Sequence, residues 1–133
     1  MRLFAALLVL TFVTNARVCF GQNVTYIGHS TLNERPKIYV LVDKATATKY
    51  ILDSTRTYIT AIDSNGKQLW KTEAHQSNYR VKNPVIVYFA FDNAAFDNGL
   101  NKKGEEVIRI VYSNTQFGTI DKKTGAFLYL GQD

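Results

Sequence analysis

An all-β fold is predicted for this 133-residue chain by three observations. Two segments, 58–70 and 117–129, read as strand, tight polar turn and strand. The runs Ile38-Tyr39-Val40-Leu41-Val42 and Val85-Ile86-Val87-Tyr88-Phe89-Ala90-Phe91 are apolar at both parities and rich in β-branched and aromatic residues, the pattern of strands that can leave neither face in water. No window after residue 21 shows a sustained 3.6-residue apolar period with caps, so no helix is expected there. Together these features predict two four-stranded antiparallel meanders, propeller-blade-like or packed as a sandwich, following an N-terminal signal peptide.

Taken in order, Met1-Arg2 and the apolar run from Leu3 to Val13 have the charge and length of a secretory signal peptide and are too short to span a membrane as a helix. Cleavage after Ala16 or after Gly21 satisfies the small-residue preference. Gly21 is favoured because Arg17 is a poor early mature residue, giving a signal peptide over 1–21 and one all-β domain over 22–133. A lipid anchor at Cys19 is the alternative, but Arg17 and Val18 stand where a lipobox needs small residues. Cleavage at Gly21 removes the only cysteine and leaves about 110 residues, enough for one modest core without a disulfide. An exported, cysteine-free chain of this size suits a bacterial envelope, so a secreted or periplasmic location is expected, with no transmembrane segment in the mature chain. Asn23-Val24-Thr25 is a formal glycosylation sequon that matters only in a eukaryotic secretory pathway.

In the mature chain, residues 24–27 can form a short edge strand, and 28–36 read as a polar connection. Strands follow over 38–42 and 49–52, and then the hairpin 58–70, where Asn65-Gly66 suits a two-residue turn with both residues at positive φ. Residues 73–83 are polar and end at Pro84, a boundary between two halves. Strands at 85–91 and 107–112 and the closing hairpin complete the second half. The chain therefore reads as a diverged repeat, about 37–73 against 84–130, with Asp63 aligned to Asp121.

The two hairpins resemble the strand-turn-strand signature of the quinoprotein-type (PQQ-like) β-propeller repeat. Asp63, Gly66, Leu69 and Trp70 carry the resemblance in the first copy, and Asp121, Thr124, Gly125, Leu128 and Tyr129 in the second. Tyr129 stands where that motif prefers Trp. The resemblance implies blade-like sheets and no cofactor, because a quinone site needs a complete ring and two blades cannot close one.

The residues point away from catalysis and leave binding as the expected role. His29 and His75 fall in loops without metal-ligand spacing, and no serine sits in a nucleophile elbow. No cofactor and no metal are expected. Removing Arg2 and Arg17 takes two from the formal charge of +5 and leaves +3, spread along the chain; adjacent lysines occur only at 102–103 and 122–123, which excludes a nucleic-acid stripe. The polar tract 92–106 is rich in Asp, Asn and Gly, but Gly99 and Lys102 break the EF-hand pattern, so Asp97, Asn98 and Asn101 are read as contact residues of a long loop. The doubled apolar faces place Tyr39, Leu41 and Tyr88 on an interaction surface. The expected function is an exported β-sheet module that binds a protein partner or itself. The alternative is a carbohydrate- or small-ligand-binding domain using Trp70 and neighbouring tyrosines.

Overall fold

The structure, a computed structural model, describes residues 25–26, 38–73 and 85–133. The expected signal peptide, Asn23, His29, His75 and the expected polar joint up to Pro84 lie outside the described residues. Those that are described form nine strands and no helix: β1 (Thr25–Tyr26), β2 (Tyr39–Val42), β3 (Lys49–Leu52), β4 (Tyr58–Ile62), β5 (Gln68–Glu73), β6 (Ile86–Asn93), β7 (Glu106–Tyr112), β8 (Gln116–Ile120) and β9 (Phe127–Gln132). The two predicted meanders are present. One sheet has the order β2-β3-β4-β5; the other has the order β6-β7-β8-β9 with β1 added antiparallel to the edge at β6.

Period-two alternation explains how each sheet chooses its inner face. In the first sheet Leu41, Tyr50, Ala61 and Trp70 lie in register across the four strands and are all buried. The neighbouring row adds Leu52 and Ile59. In the second sheet Ile86, Phe89, Ile108, Ile110, Tyr112 and Ile120 point to the same core, so that one cluster of buried side chains is built from both sheets. The sheets therefore pack face to face, the arrangement in which each apolar face covers the other. Burying five large aliphatic or aromatic residues from the first sheet and six from the second at ~1.5–3 kcal/mol per side chain is the main favourable contribution.

Two expectations about local geometry are corrected. Gly66 alone takes positive φ, at 86°, while Asn65 does not, so the turn is not the two-residue Asn-Gly form. Asp63 explains the choice: its Oδ1 accepts the N–H groups of Asn65 and Lys67, both at 2.9 Å, and Gly66 N–H closes onto the Asp63 carbonyl at 3.1 Å. Asp at the first position and Gly at the fourth favour a type I turn followed by a bulge, and the register does shift between Ala61 and Ile62. The second correction concerns parity. Leu41 is 4% exposed and Tyr39 packs against the core, whereas Ile38, Val40 and Val42 are 66%, 39% and 49% exposed. Ile86 and Tyr88 do not share a face either, because a register shift separates them. Ile86 is buried in the core, and Tyr88 pairs with Val111 and is half-buried.

Candidate functional site

Three segments converge at one end of the two sheets: the β2–β3 turn, the 94–105 connection and the β8–β9 turn. The two turns share a sequence, Asp43-Lys44-Ala45-Thr46-Ala47 and Asp121-Lys122-Lys123-Thr124-Gly125, and a geometry. In each, the Asp carbonyl accepts the N–H of the fifth residue, Ala47 at 2.8 Å and Gly125 at 2.9 Å, and the Asp N–H donates to the sixth at 2.9 Å. Each Asp carboxylate accepts backbone N–H groups of its own turn, from Ala45 at 2.8 Å and from Thr124 at 2.7 Å. The fifth residue has positive φ in both, 57° at Ala47 and 75° at Gly125. The turn at 43–47 thus matches the closing turn in local geometry, although in strand order the closing hairpin β8–β9 corresponds to β4–β5. The pattern Asp-Lys-x-Thr was the signal that could have found it.

Between these turns lies an open groove of about 400 Å³ bordered by Asp43, Thr48, Tyr50, Glu106, Asp121 and Lys122. Lys122 stands at its centre. Its Nζ lies 2.5 Å from Asp43 Oδ2 of the other sheet, pairs also with Glu106, and sits 5.2 Å from the centre of the Phe91 ring. Lys123 pairs with Glu105 at 2.8 Å. Burial works against the charge on Lys122, but the hydrogen bonds to Asp43 and Glu106 outweigh it and hold the ammonium above its ordinary pKa. Burial likewise opposes ionisation of Asp43 and Asp121. The Lys122 ammonium for the first, and Thr124 with Asn101 for the second, outweigh it and hold both carboxyls below the usual range.

Such groups lock a structure and are poorly suited to proton transfer. A lysine held protonated offers neither a base nor a nucleophile, and the carboxylates are spent on Lys122 and on backbone N–H groups. Among the described residues no group of three His, Cys, Asp or Glu is placed to hold a metal ion.

The sequence-predicted contact residues separate into two sets. Trp70 is 9% exposed; its indole N–H donates to the Lys122 carbonyl at 3.0 Å and its ring leaves little surface for a sugar to stack on. Asp97, Asn98 and Asn101 shape their own loop. Asp97 Oδ1 accepts Lys103 N–H at 2.6 Å, Asn98 Oδ1 accepts Leu100 and Asn101 N–H at 2.9 and 2.8 Å, and buried Asn101 donates through Nδ2 to Asp121 Oδ2 at 2.7 Å. Tyr39 and Leu41 belong to the inner face of β2. What sequence reasoning missed is the opposite face of the same strand, where Ile38, Val40 and Val42 stand in solvent at the edge of the sheet.

The fold and these surfaces define an all-β protein of two face-packed antiparallel sheets, with an ion-pair lock at one end and an apolar strand edge. No protein-family model, curated protein or solved structure matches this chain.

Proposed function

We propose that this protein is an exported binding module that engages a protein partner at the edge strand β2. The observation that supports this is the exposed row Ile38, Val40 and Val42 on a strand that, among the described residues, has no neighbour on one side. An edge strand presents unpaired N–H and C=O groups. Soluble proteins usually blunt such edges with charge, proline or a bulge. Residues 38–42 contain no charge and no proline, and the pairing with β3 runs without a register shift. A partner that adds an extended apolar segment satisfies both needs at once, its backbone completing the ladder and its side chains covering the row.

Two experiments test the reading. A photo-crosslinking residue at position 42 of the protein produced in its native host should yield a covalent protein adduct, and the same residue at position 67, on the exposed β4–β5 turn, should not. Equal or absent labelling at both positions removes β2 as the binding edge. Export is tested by N-terminal sequencing of the released protein, expected to begin between Arg17 and Asn23; recovery of an intact Met1 would remove it.

A further inference from the structure

We infer that the partner at β2 is a second copy of this chain, with the two β2 strands running antiparallel about a two-fold axis at Val40. The inference rests on the reading of β2 as the binding edge and names what fills it.

Backbone geometry comes first. Asp43 N–H bonds to the Thr48 carbonyl at 2.9 Å, which fixes the phase of the β2–β3 ladder. Antiparallel ladders alternate, so Leu41 and Tyr39 direct their N–H and C=O groups toward β3, while Val40 and Val42 direct theirs outward, as does Ile38 where the alternation is continued one residue before the strand. The residues with outward backbone groups are thus the same three whose side chains stand in solvent. A second strand laid antiparallel with Val40 facing Val40 completes about six hydrogen bonds through these groups.

That register is self-complementary. Ile38 meets Val42 of the second copy, Val40 meets its own equivalent, and Tyr39 meets Leu41. Every pair is apolar, β-branched faces β-branched on the outer face, and no like charges are opposed. An isologous interface requires that the same patch fit itself, and few strand sequences meet the condition. The other described edges are charged, irregular or short. β5 carries Lys71 and Glu73 and is paired to β4 through an irregular register, β9 ends in Gln132 beside another register shift, and β1 is two residues long. Joining β2 to β2 also doubles the outer apolar row, since Val40 is flanked by Ile51 on β3. One strand pair buries less than a standard interface, so the dimer forms and dissociates with concentration.

Sedimentation velocity on the released protein over a wide concentration range tests the inference, together with Val40→Pro. The Val40 N–H points outward, so proline there removes no bond to β3 and is admitted by an edge strand. The weight-average mass of the wild type should climb toward twice that of one chain, while folded Val40→Pro stays monomeric at concentrations at least tenfold higher. Val42→Lys, at a side chain already in solvent, gives the same comparison if the proline variant fails to fold. The crosslinker at position 42 should produce an adduct of twice the chain mass. A wild type monomeric throughout, with an adduct to a different protein, overturns self-pairing and leaves β2 as a binding edge; no adduct of any kind overturns both. A dimer that persists unchanged in folded Val40→Pro and Val42→Lys places the seam elsewhere and overturns the inference.

Discussion

Trp70, on β5 of one sheet, lies against Gly125 in a turn of the other so closely that a Cβ built on the glycine would fall 2.6 Å from the indole Cδ2. The turn carrying Gly125 is held from three directions. Trp70 Nε1 donates to the Lys122 carbonyl at 3.0 Å, Thr72 Oγ1 to the Gly125 carbonyl at 2.7 Å, and Tyr50 OH to the Lys122 carbonyl at 3.4 Å. Tyr50 adds edge-on contact with Phe91, ring centres 5.8 Å apart. The residue expected to serve as a ligand platform is thus an element of cohesion between the sheets.

Gly125 and Gly66 both take positive φ, and they should differ in what replacement costs. At Gly66 an added Cβ meets nothing within 4 Å, so Gly66→Ala should cost only the left-handed backbone strain of about 1–2 kcal/mol. Gly125→Ala adds the collision with Trp70 and should cost a further ~1–3 kcal/mol for overpacking. Urea unfolding of the two variants side by side checks this. Equal midpoints would mean that the turn does not press on the indole.

Ala47 occupies the place that Gly125 fills in the matching turn, exposed and at a φ of 57°. Ala47→Gly relieves left-handed strain of about 1–2 kcal/mol and loses ~0.4–1 kcal/mol through greater freedom of the unfolded chain. The balance predicts a modest stabilisation, read as a rise in the urea midpoint at constant slope. A lower midpoint would contradict the equivalence of the two turns.

How far these features could be read from the sequence depends on whether their causes are local. Alternation and turn chemistry act within a few residues, so the two meanders and the positive φ at Gly66 and Gly125 were foreseeable. The parity of β2 was not, because Ile38 to Val42 are apolar on both faces and the choice is made by the shared core, whose other sheet comes far along the chain. The Asp43–Lys122 pair was hidden for the same reason: each residue looks like an ordinary turn residue until the sheets bring them together. Even at Asn65, local preference was overridden by one neighbouring carboxylate, that of Asp63.

Acid should weaken the fold through the turn aspartates. Asp43, Asp53 and Asp121 have folded pKa values below their ordinary 3.8, because hydrogen bonds to the ionised form outweigh burial. A depressed carboxyl contributes stability that is fully present above the unfolded value and is lost as pH falls through the folded one. Urea midpoints should therefore hold steady above about pH 5 and drop below 3.8, less steeply in Asp121→Asn, where Thr124 still finds an acceptor. Lys122 acts in the opposite sense. Its raised value makes its contribution complete below 10.5 and lost as pH rises beyond that. A midpoint indifferent to pH between 2 and 5 would show that these carboxylates are no better placed in the fold than in the open chain.

The same pair offers a direct test of the lock. The side chains of Lys122 and Asp43 are 15% and 8% exposed, so removing one charge strands the other in a poorly solvated place. Lys122→Met should cost about 2–4 kcal/mol, the lower range for breaking a buried pair, because the groove admits some water. Glu106, its second partner, is nearly half exposed and adds little. Asp43→Asn keeps an oxygen for the Ala45 N–H and should cost less. Since an uncompensated carboxylate is the main penalty in Lys122→Met, adding Asp43→Asn to it should restore stability, with a coupling of at least about 1 kcal/mol between the two sites. Strictly additive losses would mean that the Lys122 side chain contributes through its packing on Phe91 of its own sheet, and that the charge on Asp43 is incidental to the junction.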